Sequence, residues 1–230
     1  QEQPDAVIHF AGLKAVGESV ADPLLYYQLN LMTTISLCRT MADNNVMSLV
    51  FSSSATVYGE PERIPLDENC TATNATNPYG RTKIMIEQML HDLCDAKPAF
   101  NVALLRYFNP AGAHPSARIG EDPTGVPNNL VPFLTQVVAG MRDQLVINGN
   151  DYPTEDGTCI RDYIHVQDLA RGHVAAIRKL QTHCGLVTYN LGTGTGHSVN
   201  EVVAAFEAAT HQPLIRTIGP RREGDVATSY

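Results

Sequence analysis

Met47-Ser48-Leu49-Val50-Phe51-Ser52 is a short, mainly apolar run, which is typical of a strand that is buried on both faces of a sheet. Two similar runs flank it along the chain, at residues 6–10 and 102–108. Between these runs lie longer segments with helical periodicity, at residues 23–44 and 78–93. The order strand, helix, strand, helix, strand predicts an α/β fold with a doubly wound parallel sheet.

The character of the sequence changes after Asn109, where prolines recur in a loop-rich region. We therefore divide the chain into residues 1–108, which form most of the sheet, and residues 109–230, a smaller mixed α/β substrate lobe. Some elements of the second part can return to the sheet. Its periodic segments predict short strands at residues 162–166 and 188–191 and helices at residues 131–141, 166–180 and 198–210.

The composition limits the classes of function that the chain can serve. With 230 residues, of which 43% are hydrophobic, it can bury a substantial core. Its net charge of -8 argues against binding nucleic acid, which requires a basic surface. The sequence shows neither a signal peptide nor an apolar stretch long enough to cross a membrane. Its five cysteines follow no metal-binding spacing, so we expect no disulfide framework, no metal site and a cytoplasmic location.

Ser54, Tyr79 and Lys83 are the candidate catalytic residues. Tyr79 and Lys83 form a Tyr-x-x-x-Lys pair on a predicted helix, so their side chains share one face. Ser54 and Asn109 each follow a predicted strand, at the edge of the sheet where ligands bind. A free phenol has a pKa of about 10, and we expect the ammonium of Lys83 to lower the pKa of Tyr79 by stabilising its anion. This pattern predicts a site for hydride transfer with acid–base catalysis.

Several ordered motifs extend this pattern along the chain. They are Phe51-Ser52-Ser53-Ser54-Ala55-Thr56-Val57-Tyr58-Gly59, Tyr79-x-x-x-Lys83, Arg106-Tyr107-Phe108-Asn109, residues 149–157, Arg161-Asp162-Tyr163-Ile164-His165-Val166 and Pro220-Arg221-Arg222-Glu223-Gly224-Asp225. Together they resemble the UDP-glucose 4-epimerase family, a branch of the extended short-chain dehydrogenase/reductase superfamily. The resemblance covers essentially the whole chain and implies a Rossmann-like fold, with residues 1–108 as the C-terminal part of the NAD-binding domain and residues 109–230 as mainly the substrate-binding lobe.

The resemblance implies an isomerase that interconverts UDP-galactose and UDP-glucose in galactose metabolism. It would use NAD for a transient oxidation at sugar C4, through a 4-keto intermediate. Tyr79 would exchange the proton of the 4-hydroxyl, Ser54 would hydrogen-bond the reacting oxygen, and Lys83 would bind the nicotinamide ribose. The resemblance also implies a homodimer, formed through the helices at residues 23–44 and 78–93.

The same resemblance assigns further residues to the cofactor and the substrate. NAD would be contacted by Phe10, Ala11, Gly12, Leu13, Lys14, Tyr79, Lys83 and Phe108. The UDP-sugar would be contacted by Ser54, Tyr79, Asn109, Asn129, Leu130, Val146, Ile147, Asn148, Arg161, Arg222, Asp225 and Ser229. Arg161 and Arg222 are natural partners for the diphosphate, because a guanidinium group matches the geometry of phosphate oxygens.

The sequence departs from the family pattern in several respects. The glycine-rich turn that holds the cofactor pyrophosphate does not precede Gln1, so we interpret the sequence as a fragment that lacks this N-terminal turn and the C-terminal end. Asn148 stands where many relatives have an aromatic residue, and Leu29 replaces an amide found in some of them. Gly192-Thr193-Gly194-Thr195-Gly196 imitates a dinucleotide-binding turn, but its spacing is not Gly-x-Gly-x-x-Gly, and we interpret it as a plain turn.

Ser229 bears on the choice of substrate. In relatives, a tyrosine at this position restricts the sugar pocket, whereas a small residue leaves room for a 2-acetamido group. We therefore hypothesise that UDP-N-acetylglucosamine is also accepted.

Two alternatives to an epimerase stay open for the function of the chain. One is a nucleotide-sugar 4,6-dehydratase, whose relatives carry acidic residues that the stretch from Ser54 to Tyr58 lacks. The other is a non-catalytic module that binds nucleotide sugars.

Overall fold

The computed structural model describes residues 3–123 and 125–230, which form six α-helices, eleven strands and a 3-10 turn at Ala55–Tyr58. The helices are α1 (Val16–Ala21), α2 (Pro23–Asp43), α3 (Pro78–Ala96), α4 (Leu130–Val138), α5 (Val166–Leu180) and α6 (Val199–Thr210). The strands are β1 (Val7–His9), β2 (Ser48–Ser54), β3 (Asn101–Tyr107), β4 (Asn109–Ala111), β5 (Leu145–Asn148), β6 (Ile160–Arg161), β7 (Tyr163–His165), β8 (Leu186–Leu191), β9 (His197–Ser198), β10 (Arg216–Gly219) and β11 (Thr228–Ser229). In the described part of the chain, no helix combines the length and the apolar character that a membrane span requires.

The centre of the fold is a four-stranded parallel sheet in the order β1-β2-β3-β8. Its register runs from Val7 of β1 through Leu49 of β2 and Val102 of β3 to Leu186 of β8. The three strands and two helices predicted for the first half of the chain all form, with nearly the predicted ends. The prediction of a doubly wound, Rossmann-like α/β fold is confirmed.

Neighbouring residues of the sheet face opposite layers of helices, because side chains alternate along a strand. Leu49 and Phe51 of β2 pack with α2 and α3 in one core, in which Leu90 is also completely buried. Val50, between them, faces the other layer and packs with Leu180 of α5. Because helices cover both faces, β2 and β3 read as mainly apolar runs rather than as alternating patterns.

The second half of the chain contributes to the main sheet and also forms several small sheets with a core of their own. Strand β8 pairs with β3, and α5 packs on β2 and β3, so both elements belong to the main sheet and its helical layer. The other elements form small sheets, which are β4–β7, β5–β10 and β11–β6–β9. A separate core lies among them, where Leu134, Leu145 and Val203 are fully buried.

The strand predicted at residues 162–166 forms as β7, Tyr163–His165, and the short strand β6, Ile160–Arg161, precedes it. Asp162, between them, is completely buried, and its carboxylate turns toward the loop that follows β8. It accepts hydrogen bonds from the backbone N–H groups of Thr193, at 2.6 Å, and Gly194, at 2.8 Å. These amides are therefore bonded within the protein, which supports the interpretation of the loop as a plain turn.

Candidate active site

A cavity of about 880 Å³ opens beyond the carboxyl ends of β2 and β3. Parallel sheets bind ligands at this edge, and the volume lies within the usual range of small-molecule sites. The cavity brings together most of the site residues predicted from the sequence. They are Phe10, Gly12, Leu13, Lys14, Ser54, Tyr79, Lys83, Phe108, Asn109, Asn129, Arg161, Arg222, Asp225 and Ser229.

Ser54 is the last residue of β2, and its side chain caps the 3-10 turn that follows. Its Oγ accepts hydrogen bonds from the backbone N–H of Thr56, at 3.2 Å, and from Thr56 Oγ1, at 2.9 Å. The cap fixes the turn at the edge of the sheet and places Ser54 in the cavity wall. Because the hydroxyl accepts in both bonds, its own proton remains available for donation.

Tyr79 lies in the first turn of α3, and the local sequence explains why the helix begins there. Asn77 is the N-cap residue, and its Oδ1 accepts a hydrogen bond from the N–H of Gly80 at 2.9 Å. Pro78 occupies the first helical turn, where its missing N–H has no cost. A Cβ at Gly80 would lie 2.7 Å from that of Ala75, so the helix start packs closely against the preceding segment. This packing holds Tyr79 at the cavity wall.

Burial, rather than Lys83, decides the pKa of Tyr79. Burial raises the pKa of the Tyr79 phenol above its usual value, and a hydrogen bond with Ser54 opposes the rise. The Nζ of Lys83 lies 5.7 Å from the centre of the Tyr79 ring, and it donates instead to the carbonyl of Ser52 at 2.6 Å. The prediction that Lys83 lowers the pKa of Tyr79 is therefore wrong in this structure.

Lys83 is itself a buried cation. Burial lowers its pKa from 10.5 to about 8, and the nearby carboxylate of Glu87 acts in the opposite direction. Its Nζ also lies 4.8 Å from the centre of the Phe51 ring, within the range of a cation–π interaction. Lys83 therefore presents a positively charged hydrogen-bond donor to the cavity at neutral pH.

The wall predicted to contact NAD is held in place by Asn30 of α2. Asn30 Oδ1 accepts from the N–H of Leu13 at 2.8 Å, and its Nδ2 donates to the carbonyl of Leu13 at 3.1 Å. Ala11 is the only one of the predicted cofactor residues that does not line the cavity. Phe10 and Leu13 supply apolar surface that suits a nicotinamide ring, and the ammonium of Lys83 in the same cavity suits ribose hydroxyls. Among residues 3–123 and 125–230, no cluster of three or more His, Cys, Asp or Glu side chains could hold a metal ion.

The predicted diphosphate residues Arg161 and Arg222 both bind the segment that leads to β11. Arg222 forms two hydrogen bonds to the carboxylate of Asp225, at 2.8 and 3.0 Å. Arg161 donates to the carbonyl of Val226 at 2.7 Å. Ser229, in β11, lies opposite Arg161 of β6. These contacts bring both arginines, Asp225 and Ser229 to the same cavity.

Four of the predicted substrate residues lie outside the lining of the cavity. Leu130 is the first residue of α4, and Val146, Ile147 and Asn148 belong to β5, which pairs with β10. Ile147 is buried in the core of the second lobe, whereas Val146 is 41% exposed. Their assignment to the uracil and the sugar stays a prediction.

Tyr107 is a cavity residue that the sequence analysis missed. Its hydroxyl forms a hydrogen bond with Nε2 of His173, and Nδ1 of the same ring lies 2.8 Å from the carbonyl of Leu169. Because a carbonyl only accepts, Nδ1 carries the proton, and Tyr107 donates to Nε2. Tyr107 is the last residue of β3, directly before Phe108 and Asn109. Its position at the end of a predicted strand, at the carboxyl edge of the sheet, was the feature of the sequence that could have identified it as a cavity residue.

The fold and this cavity together define a class of protein. A parallel sheet covered by helices on both faces, with Ser54, Tyr79 and Lys83 at its carboxyl edge, is typical of a Rossmann-like protein of the short-chain dehydrogenase/reductase type. The chain belongs to the NAD dependent epimerase/dehydratase family, which matches residues 1–192.

Individual relatives show which members of this family the chain is similar to. The chain is 59% identical to the UDP-glucose 4-epimerase of Mus musculus, over 98% of this chain and 65% of the relative. It is 57% identical to the UDP-glucose 4-epimerase of Bacillus subtilis, over 100% of this chain and 68% of the relative. The crystal structure of UDP-glucose 4-epimerase from Bifidobacterium longum in complex with NAD+ and UDP matches with a TM-score of 0.95 and 50% identity, over 100% of this chain and 68% of that one. The chain thus spans about two thirds of the length of these relatives.

Proposed function

We propose that the protein containing this chain interconverts UDP-galactose and UDP-glucose, as an NAD-dependent isomerase of galactose metabolism. The observation that carries the proposal is the presence of Ser54, Tyr79 and Lys83 in one cavity at the carboxyl edge of the sheet. The names of the similar proteins support the same reaction. The stretch from Ser54 to Tyr58 contains no acidic residue, so a dehydratase has less support.

The reaction requires a proton to leave the sugar 4-hydroxyl and to return after C4 has been inverted. Lys83 and the wall from Phe10 to Lys14 would hold NAD, which would supply the acceptor and donor of the C4 hydride and a positive charge that favours ionisation of Tyr79. Tyr79 takes the proton from the 4-hydroxyl and later returns it. Ser54 donates a hydrogen bond to the reacting oxygen. Lys83, whose Nζ lies 5.7 Å from the centre of the Tyr79 ring, donates to ribose hydroxyls.

The UDP part of the substrate would be held on the opposite side of the reacting sugar. Arg161 and Arg222 supply positive charge for the diphosphate, and the ion pair of Arg222 with Asp225 orients its guanidinium group. Asp225 would accept from a ribose hydroxyl, and Asn109 would contact the sugar. All four residues line the cavity, which supports this arrangement.

A Tyr79→Phe variant of the full-length protein tests the proposed chemistry, because it removes only the phenol oxygen. We expect the rate of UDP-galactose epimerisation to fall by about 10²- to 10⁴-fold, with NAD binding retained. Tyr189→Phe is a matched control, since Tyr189 lies on β8, is partly exposed and does not line the cavity. Epimerisation by Tyr79→Phe at a rate similar to that of the control would refute the proposed role of Tyr79.

Ser229 supports a broader substrate range. It is a small residue that lines the cavity, so we propose that UDP-N-acetylglucosamine and UDP-N-acetylgalactosamine are also interconverted. Replacing Ser229 by Tyr should abolish this activity and spare the interconversion of UDP-galactose and UDP-glucose. The hypothesis is wrong if the wild-type protein and Ser229→Tyr fail equally on the acetylated sugars.

We also propose a homodimer formed through α2 and α3. Leu24 and Met32 of α2 are 76% and 53% exposed, and Met85 of α3 is 47% exposed, so apolar side chains face outward on both helices. A partner that covered them would remove this apolar surface from water. Light scattering of the protein and of a Met32→Glu variant tests the proposal, because the buried charge should shift the dimer toward the monomer. A wild-type protein that is monomeric at micromolar concentration would refute it.

A cytoplasmic location is proposed on the chemistry of the cysteines. All five are free thiols in the structure, and the chain carries a net charge of -8. Free thiols persist in reducing compartments. Fractionation of the source cells tests the location, and recovery of the protein from an oxidising compartment would contradict it.

A further inference from the structure

Glu87 is a buried carboxylate on the same face of α3 as Tyr79 and Lys83. The three residues follow one another at intervals of one helical turn. Glu87 is 6% exposed, and the guanidinium group of Arg106 from β3 binds it with two hydrogen bonds, of 2.7 and 3.1 Å. Arg106 also donates to the hydroxyl of Tyr58 at 3.0 Å. A charged group is costly to bury, and this one lies next to the reacting groups.

The same carboxylate also contacts the end of β2. The hydroxyl of Ser53 donates to Glu87 Oε1. Ser53 stands between Ser52, whose carbonyl accepts from Lys83 at 2.6 Å, and Ser54, whose side chain faces the cavity. Glu87 therefore joins α3, which carries Tyr79 and Lys83, to the part of β2 that carries Ser54.

The titratable and charged groups around Lys83 come from three elements of the fold. Tyr79 and Glu87 face it from α3, His9 lies near it on β1, and Arg106 lies behind Glu87 on β3. His9 is buried, and its Nε2 forms a hydrogen bond with Thr34 Oγ1 at 3.0 Å. Burial and, to a smaller extent, the positive charge of Lys83 lower the pKa of His9. Glu87 is thus the carboxylate of this group; it pairs with Arg106, and its negative charge raises the pKa of Lys83 against the effect of burial.

We propose that Glu87 is a positioning residue for the reaction, whose carboxylate, anchored by Arg106, ties the Ser52–Ser54 end of β2 to α3 and so holds the Ser52 carbonyl that binds Lys83 in its working geometry. This inference rests on the proposed function for its activity assay. Glu87 touches neither the sugar nor the cofactor in this role. It acts through Lys83 and through Ser53.

The test compares Glu87→Gln, Glu87→Asp and Asp92→Asn in the full-length protein, with NAD bound for the rate measurements and removed for the calorimetry. Glu87→Gln keeps the shape of the side chain and removes its charge, whereas Glu87→Asp keeps the charge. Asp92→Asn makes the same change of charge at an exposed position of α3. The readouts are the pH dependence of kcat for UDP-galactose, the KM, and the pH dependence of NAD affinity by calorimetry without sugar.

For Glu87→Gln we expect the high-pH limb of kcat to move down by about one pH unit, because Lys83 loses its proton more easily without the nearby carboxylate. The kcat at neutral pH should fall at least about ten-fold, with KM changed less than about three-fold. Glu87→Asp should restore the position of the limb, and Asp92→Asn should match the wild type. A limb that stays at its wild-type pH in Glu87→Gln overturns the proposal, since a purely structural role would lower kcat equally at every pH.

Two further measurements keep the test decisive. If Glu87→Gln fails to fold, Ser53→Ala replaces it, because this change removes the contact of β2 with Glu87 and leaves the ion pair with Arg106. An unchanged kcat in Ser53→Ala then overturns the proposal, and a fall of about three-fold or more at unchanged KM supports it. If the wild type does not epimerise UDP-galactose, the proposed function fails. The shift in the pH dependence of NAD affinity still decides the role of Glu87.

Discussion

Asp162 offers the sharpest test of how this fold is stabilised. Its carboxylate is completely buried and accepts hydrogen bonds from Thr193 N at 2.6 Å, Gly194 N at 2.8 Å and Thr193 Oγ1 at 2.8 Å. The loop packs so closely that a Cβ on Gly192 would lie 2.5 Å from Asp162 Oδ2 and 2.7 Å from Phe108 Cδ2. Phe108, which packs against Gly192 in this way, also lines the cavity, so the loop supports one wall of the candidate site.

The expected cost of Asp162→Ala follows from these bonds. Hydrogen bonds to a charged acceptor contribute about 1.5 to 3 kcal/mol each. Thr193 and Gly194 are exposed, so their donors regain water when the carboxylate is removed, and the net loss is smaller than the sum. We expect the free energy of unfolding to fall by about 3 kcal/mol. Asp162→Asn should cost only about 1 kcal/mol, because its amide oxygen can accept from both backbone donors and its NH2 group can donate to Thr193 Oγ1.

Urea unfolding followed by circular dichroism measures both variants, and the chain has no tryptophan whose fluorescence could serve instead. The slope of the transition must match that of the wild type for the comparison to hold. Equal destabilisation by Ala and Asn would show that charge, and not the set of hydrogen bonds, is what the loop requires. A loss below about 1 kcal/mol in Asp162→Ala would refute the reasoning altogether.

Three further outcomes are expected. Gly59→Ala should destabilise the protein by about 3 kcal/mol or more, because φ at this residue is 63° and a Cβ would lie 1.9 Å from the carbonyl oxygen of Asn74. Gly17→Ala, at a position on α1 where a Cβ meets open space, should instead stabilise the protein by about 0.5 kcal/mol. Urea unfolding measures both changes. Burial lowers the pKa of Lys83 from 10.5 to about 8, so the unfolded chain binds more protons between these values. The free energy of unfolding should therefore rise with pH across this window relative to Lys83→Met, and equal slopes would contradict the shift. Burial raises the pKa of the Cys94 thiol to about 11, so iodoacetamide should alkylate it more slowly at pH 8 than it alkylates free cysteine, as mass spectrometry can measure.

The main sheet could be predicted from the sequence because its signals are local. The run from Ser48 to Phe51 is buried on both faces, and helices with clear periodicity and N-terminal prolines, at Pro23 and Pro78, separate the strands. Each of these signals acts within a single element. The place of the site followed from the same order of elements, because strand ends in a parallel sheet share one edge.

The small sheets of the second lobe could not be predicted in this way. Strands β6, β9 and β11 contain two residues each, which is too short for a periodic pattern. They exist because Thr228 pairs with Ile160, and Ile160 with Ser198, across long separations in the chain. The inward turn of Asp162 has the same origin, since its partners lie on a loop that follows β8.

Tyr79 and Lys83 show most clearly what the spacing of residues along the chain does not predict. The interval between Tyr79 and Lys83 correctly predicts a shared helical face, yet it does not say which atom the ammonium will meet. The carbonyl of Ser52, supplied by another element, takes that place at 2.6 Å, and burial then raises the pKa of Tyr79. A buried phenol responds strongly to added charge, because little water screens it. Burial thus sets the pKa of Tyr79, whereas Glu87 raises the pKa of Lys83, which is why a change of charge at Glu87 should be visible in the pH profile.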